Sequence, residues 1–347
     1  MATFIIFVLV LGVLVFTHEF GHFICAKKAG VKVEKFAIGF GPSVFSFRKD
    51  ETLYTLNLVP FGGYVKIFGE EGREKVAGSF NSKPACIRAL IVAAGVFFNF
   101  LLAFFLLFLV NMIGAPVPVG DGALNSRITI LEVQPNSPAQ KAGLEAGDKI
   151  LSLSFGEEVL DAVVIADVQN FISSHSGQEI VLKYLRGQET FSARVTPDPI
   201  IGIAMDNIAI VSMSFFKAIW ESFKETIFLT GFMVKMFGFL IADIFRGGEM
   251  VNQVSGPVGV FGIVGKMAAF GFVYILRFTA LFSINLAVLN LIPFPALDGG
   301  HLILLAIEAI KRSPVNQKFV NIVNTAGFAA LIILMILVTY KDIVRLL

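Results

Sequence analysis

Long apolar stretches alternate along the chain with shorter polar segments. Four stretches are continuously apolar over roughly the 20 residues that a helix needs to cross a bilayer core of about 30 Å. A fifth, residues 226–245, contains Lys235 and Asp243 and follows the amphipathic run FFKAIWESFKE. The pattern predicts four transmembrane helices and an amphipathic helix that lies in the membrane interface or inserts only partly. The four predicted spans are residues 4–26, 90–113, 273–297 and 325–340.

The segment between the first two spans follows a different pattern. Residues 31–66 alternate apolar and polar positions, with turn signals at GFGP, RKDE and PFGG. A period of two predicts short strands. Because the segment is so apolar, we expect a membrane-associated β-loop rather than a plain linker. Its edge could pair with an unwound stretch of another chain, which finds no other hydrogen-bond partners in a membrane.

One region of the chain looks soluble. Residues 122–199 contain strand-like runs, a turn rich in Pro, Asn and Ser, and a helix-period stretch, VVIADVQNFISSH. This pattern predicts one small α+β domain inserted into an α-helical polytopic membrane protein. The predicted organisation is an N-terminal half of the core with the β-loop, the inserted domain, a region of interfacial helices, and a C-terminal half of the core. Their predicted bounds are residues 1–113, 117–200, 201–272 and 273–347.

The composition agrees with an integral membrane protein. Hydrophobic residues make up 56% of the chain and charged residues only 16%, against about 25% charged in a typical soluble domain. The net charge of +2, without a basic cluster, argues against a nucleic-acid partner. Cys25 and Cys86 are too few for a disulfide framework. The N-terminus lacks the basic region and cleavage site of a signal peptide, so we expect the first span to be retained.

Three polar residues interrupt the first span near its C-terminal end, in the sequence HEFGH. Each such group costs roughly 2.5–3.5 kcal/mol inside a bilayer on insertion scales. Positions i and i+4 share one face of a helix, so His18 and His22 can face one ion with Glu19 beside it. This is the H-E-x-x-H pattern, in which the histidines bind zinc and the glutamate is the general base. The alternative is that the two histidines are structural and that neighbouring helices provide hydrogen bonds to the buried glutamate. This alternative does not explain the spacing of the three residues.

A catalytic zinc ion usually takes three protein ligands and leaves a fourth position for water. Of the two other histidines, His175 lies in the soluble-looking domain. The remaining candidates are His301 and a carboxylate, and Asp298 is the carboxylate in an apolar setting near the end of a span, in NLIPFPALDGGHL.

The position of a shared ion restricts the topology. HEFGH and Asp298 both lie at the C-terminal ends of their predicted spans, so spans one and three must run in the same direction. This requires exactly one membrane crossing between them, which residues 90–113 provide. Residues 226–245 therefore cannot be a single membrane-crossing helix. Lys27 and Lys28 follow span one, and Lys311 and Arg312 precede span four. By the positive-inside rule both loops are cytoplasmic. The chain ends and the inserted domain then face outward.

Together these motifs resemble the site-2 proteases, which are intramembrane zinc metalloproteases, and in particular their bacterial RseP-like branch. The resemblance rests on HEFGH, PFGGYVK, GVFFN, SGPVGV and NLIPFPALDGGHL, in that order along nearly the whole chain. It implies that His18, His22 and Asp298 bind one zinc ion and that Glu19 is the catalytic base. His301 would then be a supporting residue rather than a ligand, since a fourth ligand would close the site to water.

The resemblance also implies residues that position the substrate. Asn99, four residues after Gly95, matches the asparagine of a GxxxN motif. By itself it would be an ordinary polar residue that joins helices. PFGGYVK matches the later part of a membrane-reentrant β-loop, which assigns Gly62, Gly63 and Tyr64 to substrate positioning. The two glycines would allow a close approach of another backbone.

The stretch SPAQKAGLEAGDKILSL resembles the signature of protease-associated PDZ domains. A PDZ domain binds an extended peptide at a sheet edge; the alternative is a spacer that keeps bulky proteins away from the membrane. The best-known enterobacterial member of the family has two such domains in tandem, and this chain has room for one. The role in excluding large substrates that tandem domains imply therefore does not carry over directly to this chain.

The expected function is hydrolysis of peptide bonds in single-span membrane proteins, such as anti-sigma-factor-like substrates and remnant signal peptides. The expected location is the bacterial inner membrane. The inserted domain and both termini would be extracytoplasmic, and the site would lie towards the cytoplasmic side. A cation transporter that uses His18, His22 and Asp298 and an inactive peptide-binding scaffold are the alternatives. Glu19 within the pattern argues against both.

Overall fold

A computed structural model describes residues 1–70, 76–121, 126–187, 189–246, 255–313 and 315–346. The chain divides into two compact units. The first comprises Met1–Leu107, Trp220–Val264 and Arg277–Leu347, and the second comprises Phe108–Ile219 and Gly265–Leu276.

Helices and strands account for most of the described residues. The helices are α1 (Ala2–Lys28), α2 (Ala85–Ile113), α3 (Pro138–Lys141), α4 (Ile165–Ser174), α5 (Phe215–Arg246), α6 (Pro257–Phe270), α7 (Phe272–Leu291), α8 (Asp298–Lys311) and α9 (Gln317–Leu346). The strands are β1 (Val33–Lys49), β2 (Thr52–Ile67), β3 (Ala115–Pro118), β4 (Ser126–Val133), β5 (Lys149–Phe155), β6 (Glu158–Asp161), β7 (Ile180–Arg186), β8 (Glu189–Val195) and β9 (Ile203–Val211).

Five helices of the described part are long and apolar enough to cross a membrane: α1, α2, α5, α7 and α9. The chain is thus a helical membrane protein with several apolar helices. Four of the five coincide with the predicted spans. The fifth, α5, contains residues 226–245, for which the sequence predicts an interfacial position; by length and composition alone it also qualifies as a span.

The third predicted span, residues 273–297, is a shorter helix followed by a connection. Helix α7 ends at Leu291, and α8 begins at Asp298. Pro293 and Pro295 lie between them. A proline lacks the amide hydrogen that a helix needs and disfavours helical geometry in the residue before it. Asp298 therefore opens a new helix instead of ending the span, and α8 was not predicted as an element.

Strands β1 and β2 confirm the predicted strand character of residues 31–66. They pair in an unusual way, because residues 35–38 of β1 pair with residues 63–66 on one side and with residues 53–56 on the other. The first half of β1 thus lies between the two halves of β2. As a result, residues 62–67 form an outer edge of this sheet. The chain reverses at RKDE, around Asp50 at φ 53°. It also reverses at GFGP and PFGG, as predicted, because residues 35–38 run parallel to residues 53–56 but antiparallel to residues 63–66, and residues 43–49 run antiparallel to residues 52–57.

A buried apolar cluster holds the C-terminal end of α1 against this sheet, α2 and α8. Its members are nearly inaccessible and come from all of these elements and their connections: Ala26, Val31, Val33, Ile67, Phe80, Ile91, Val92 and Leu305. Burial of such side chains is worth roughly 1.5–3 kcal/mol for each large one. The cluster therefore fixes the end of α1 that carries HEFGH.

The second unit is built on one antiparallel sheet with the strand order β3-β9-β4-β5-β7-β8, and β6 pairs with β5. Its core is formed by Ile128, Ile150, Leu153 and Leu182, with Val168 of α4 packed against them. The sheet continues past residue 200, the predicted end of the inserted domain, because β9 pairs with β4 from Ser126↔Ala209 to Val133↔Ile203. His175 is buried in this unit, with its ring against Phe155 and Phe171.

Strand β3 ends the sheet and contains two prolines. The amide of Val119, just after β3, donates to the carbonyl of Asn207 at 2.9 Å. Alternate residues of a strand direct their amides to the same side. Pro116 and Pro118 therefore occupy the positions whose amides would point away from β9, where a proline breaks no hydrogen bond of the sheet.

The start of β5 is tied to the end of β7 by a buried carboxylate. Asp148, only 1% exposed, accepts hydrogen bonds from Arg186 Nε at 2.7 Å and Nη2 at 2.8 Å. It also accepts one from the amide of Glu145 at 2.9 Å. The hydrogen bonds with Asp148 raise the pKa of the Arg186 guanidinium above its ordinary value.

We expect Asp148→Ala to loosen the second unit. The substitution removes three acceptor contacts and leaves the amide of Glu145 without its partner, which should cost about 2 kcal/mol after allowance for the partial exposure of Arg186. Hydrogen exchange of the full-length chain should then be more than tenfold faster in β5 and β7. Asp161→Ala, at an exposed carboxylate on β6, is the control and should leave these rates unchanged. Equal rates in the two variants would contradict the assignment.

Candidate active site

The last third of α1 places three polar residues on an otherwise apolar helix. His18 and His22 are one turn apart, and their Nε2 atoms are 3.2 Å from each other. Their rings meet edge to face, with centroids 4.8 Å apart. The i, i+4 spacing in the sequence thus produces the expected pair on one helix face.

Asp298 completes a cluster with the two histidines. Its Oδ2 atom lies 3.2 Å from His18 Nε2 and 3.5 Å from His22 Nε2. The same oxygen is buried and makes no hydrogen bond with the described residues. Within the described part of the chain, these three residues are the one group of three or more His, Cys, Asp or Glu side chains that could hold a metal ion.

His301, the other candidate third ligand, lies outside the cluster. Its Nδ1 atom faces Glu70 Oε1 at 3.8 Å, and its ring contacts that of Phe80 at a centroid distance of 5.9 Å. The structure therefore brings Asp298, and not His301, to the two histidines.

The outer nitrogen of each histidine ring is directed at α2. His22 Nδ1 lies 2.9 Å from the carbonyl oxygen of Ile91, to which it can only donate. His18 Nδ1 lies 3.3 Å from the amide nitrogen of Asn99, whose Oδ1 has no partner among the described residues. A 180° rotation of the Asn99 amide turns Oδ1 into an acceptor for His18. With protons on both Nδ1 atoms, both Nε2 lone pairs point into the cluster.

Gly95 of α2 allows the two histidines to pack directly against the helix. A Cβ atom at this position would lie 2.7 Å from His18 Cε1 and would collide with His22 Nε2. Small residues permit such close approach of helices in membranes. The GxxxN motif thus combines a cavity for the imidazole rings at Gly95 with a polar contact at Asn99.

Glu19 lies in a cavity of 390 Å³ together with the cluster. The wall opposite Glu19 is the edge of β2, where the backbone of Val65 is within hydrogen-bonding reach of the carboxylate. A Cβ atom at Gly63 would lie 3.3 Å from Glu19 Cγ. Gly62 has a φ of 90°, which favours glycine. Gly62, Gly63 and Tyr64, predicted to position the substrate, all line this cavity.

The structure adds one residue that the sequence analysis did not single out. Asn290 of α7 places its Nδ2 atom 3.4 Å from His18 Nε2 and lines the same cavity. A polar side chain near the end of an apolar helix, at the start of NLIPFPALDGGHL, was the available signal. Helix α7 also contacts α2, because Ser283 Oγ donates to the carbonyl of Asn99 at 2.8 Å.

The chain is similar to known proteins along nearly its whole length. The model of peptidase family M50 matches residues 6–334. A Clostridium perfringens protein, provisionally named a zinc metalloprotease, is 35% identical over 346 residues, which cover 98% of each chain. Zinc metalloprotease RasP of Geobacillus kaustophilus is 30% identical over 422 positions, covering 97% of this chain and 96% of its own. Regulator of sigma-W protease RasP of Bacillus subtilis is 29% identical over 432 positions, covering 99% of each.

The site geometry, the family match and the full-length relatives agree with the resemblance seen in the sequence motifs. The chain belongs to peptidase family M50, the site-2 protease family, and is a zinc metalloprotease.

Proposed function

We propose that the protein hydrolyses peptide bonds within the transmembrane segments of single-span membrane proteins, at one zinc ion held by His18, His22 and Asp298. The convergence of three ligand atoms from α1 and α8 among apolar helices is the observation that carries this proposal. An open cavity with a carboxylate, Glu19, lies beside them.

The three residues fit a catalytic zinc ion. Their ligand atoms are 3.2, 3.2 and 3.5 Å apart. A tetrahedral zinc ion with bonds of about 2.0–2.1 Å to nitrogen and oxygen has ligand atoms about 3.3 Å from one another. Two histidines and one carboxylate also form a known catalytic ligand set that leaves a fourth position open. The buried Asp298 Oδ2, which has no hydrogen bond to the described residues, supports the same assignment.

The roles of the side chains follow from their places in the cavity. A bound zinc ion supplies Lewis-acid chemistry, which polarises a scissile carbonyl and lowers the pKa of water to about 7. Glu19 takes the proton of the attacking water on its carboxylate and delivers it to the departing amine. Ile91 and Asn99 hold the outer nitrogens of the two histidine rings and so fix their orientation. Asn290 offers an amide to the reacting peptide group.

The substrate strand would bind at the edge of β2. A transmembrane helix hides its peptide bonds in its own hydrogen bonds, so it must unwind before attack, and lipid offers no replacement partners. Residues 62–67 pair with β1 on one side, and their other side faces the cavity. An unwound chain that pairs with this edge regains its hydrogen bonds and lies against Glu19.

Contacts within the first unit support a position for α5 in the membrane. Helix α7 ends beside the cluster, through Asn290, while Arg277 near its start donates to Glu225 of α5 at 3.1 Å. The part of α5 around Glu225 would therefore lie on the side of the membrane opposite the cluster.

The helix after α5 starts on that same opposite side. Asp342, near the end of α9, accepts from the amide of Gly259 in the first turn of α6 at 2.7 Å. Residues 320–325, at the start of α9, line a cavity with His301, so Asp342 is roughly 25 Å further along the helix. If α5 crossed the membrane once, it would end on the same side as the cluster, whereas α6 starts on the opposite side. These contacts support an α5 that lies along the extracytoplasmic surface.

The proposed partners follow from this placement. The protein would reside in the bacterial inner membrane, with the second unit and both termini outside and the cluster towards the cytoplasm, as the lysine and arginine residues of the loops favour. Substrates would be anti-sigma-factor-like proteins or remnant signal peptides, and the name of the Bacillus subtilis relative, a regulator of sigma-W protease, is in keeping with the first.

We further propose that the inserted domain, predicted as residues 117–200 and extended by β9, is a single PDZ domain that binds an extended peptide. A small antiparallel sheet with α4 packed beside its core supports this assignment. A role as a spacer above the membrane is the alternative. Binding of peptides to the purified protein distinguishes the two.

Zinc binding is expected to depend on all three cluster residues. The purified wild-type protein should contain about one zinc ion per chain, and Asp298→Ala and His22→Ala should each lose most of it, since two ligands alone bind zinc weakly. Metal analysis of the detergent-solubilised proteins measures this. His301→Ala is the control, because His301 lines the same cavity outside the cluster; it should keep its zinc. Zinc retained in Asp298→Ala would show that Asp298 is not the third ligand.

Glu19→Gln should abolish cleavage and spare metal binding. The amide cannot accept a proton, and the loss of a general base costs roughly 10²–10⁴-fold in rate. Cleavage of a single-span model substrate and zinc content, measured on the same preparation, separate the two effects. Glu70→Gln removes another carboxylate from the cavity and should lower the rate much less. Undiminished cleavage by Glu19→Gln would rule out its role as base, and metal transport without cleavage in the wild type would favour a transporter.

Gly63→Ala should impair cleavage without loss of zinc. The new Cβ atom would lie 2.8 Å from the carbonyl oxygen of Ala37 and 3.3 Å from Glu19 Cγ, so the edge of β2 must shift relative to β1 and to Glu19. We expect at least a tenfold lower rate, since a displacement of about 1 Å can cost 10²-fold. Gly12→Ala, in the same unit with nothing within 4 Å of the added Cβ atom, should behave as wild type. A normal rate in Gly63→Ala would exclude this edge as the substrate site.

A further inference from the structure

A largely buried ion pair connects α2 to α8 and has no part in the chemistry described above. Arg88 Nη1 donates to Glu308 Oε2 at 2.9 Å, and the two side chains are 15% and 19% exposed. The second carboxylate oxygen of Glu308 accepts from the amide of Val315 at 3.1 Å. Arg88 also points a nitrogen towards Asn81 Oδ1, at 3.5 Å.

Both partners lie on helices that hold the metal cluster. Arg88 precedes Ile91 by one turn of α2, and the Ile91 carbonyl accepts from His22. Glu308 lies on α8, which begins with Asp298. Ten residues of helix separate the two carboxylates, a rigid distance of roughly 15 Å. Any shift of α8 along α2 therefore moves Asp298 relative to the histidines.

The apolar contacts between these helices hold them together but do not select one hydrogen-bonding geometry. Leu305 packs in the buried cluster with Ile91 and Phe80, and the hydrophobic effect is non-directional. A hydrogen-bonded ion pair has a defined geometry and loses its stabilisation when the helices slip. Buried ion pairs contribute little net stability and are best attested as devices that set the register of packed helices.

We propose that Arg88 and Glu308 are a positioning pair, which fixes the register of α8 against α2 and thereby holds the Asp298 carboxylate at His18 and His22. This inference rests on the proposed function, because it takes Asp298 as a metal ligand. The pair also lies in the wall of a polar cavity of 690 Å³, next to His301 and Glu70. A pair that only lined this cavity would not affect metal affinity.

The test replaces both charges at once. Removal of one partner alone would leave a buried charge, which is destabilising for its own reasons. Arg88→Met combined with Glu308→Leu keeps the side-chain volume and removes the directional contact. The zinc affinity of the full-length protein in detergent is measured by competition with a chelator, and the visible spectrum of the Co²⁺ form reports the ligand geometry.

A second ion pair provides a matched control. Arg277 Nη2 and Glu225 Oε1 are 3.1 Å apart and join α7 to α5, away from α8. Arg277→Met combined with Glu225→Leu should keep the wild-type zinc affinity and Co²⁺ spectrum. The Arg88→Met, Glu308→Leu variant should bind zinc at least about tenfold more weakly, as is typical when the support of a ligand is lost, with an altered Co²⁺ spectrum.

Unchanged zinc affinity in the Arg88→Met, Glu308→Leu variant would overturn the proposal, and so would an equal loss in the control pair. If the double variant does not fold, Arg88→Lys decides: it keeps the charge, but its side chain is one bond shorter than that of arginine and its ammonium falls short of Glu308 in the present register. Weaker zinc binding then supports the proposal, and wild-type binding overturns it. A failure of the proposed function itself would give a different result. In that case the wild type itself would hold no zinc, or Asp298→Ala would retain it.

Discussion

Polar groups among apolar transmembrane helices must find their partners within the protein, because lipid offers none. In this protein most of those partners come from α2. Its backbone accepts from His22 through Ile91, its side chain at Asn99 meets His18, and its Gly95 leaves space for both imidazole rings. Helix α1 supplies the chemical groups, and α2 determines where they point. Asp298 then reaches the cluster only because α8 packs on the same helix.

This dependence explains which features the sequence could reveal. HEFGH is a local pattern on one helix, so its spacing alone predicts the shared face of His18 and His22. The strands of residues 31–66 and the long apolar helices also follow from short-range periodicity. The proposed third ligand could not be identified from such a local pattern, since the residues alone leave both Asp298 and His301 as candidates. The family resemblance favours Asp298, and the fold brings it within 3.5 Å of both histidines.

The features that could not be predicted depend on contacts between distant segments or on the break of a periodic pattern. Residues 273–297 read as one apolar run, although Pro293 and Pro295 separate α7 from α8. The turns at GFGP and PFGG are visible in the sequence, but it does not show that the first half of β1 lies between the two halves of β2. Asn290 meets His18 across 272 residues of chain, and no local pattern encodes such a contact.

The prolines of β3 bear on how copies of this protein behave next to one another. Membrane proteins diffuse in two dimensions and collide often, and an exposed sheet border with free amides invites stacking into polymers. Pro116 and Pro118 remove the amide hydrogens from that border without weakening the bonds to β9. This side of β3 therefore offers no amide hydrogen from Pro116 or Pro118 to another copy, which disfavours pairing of copies through β3.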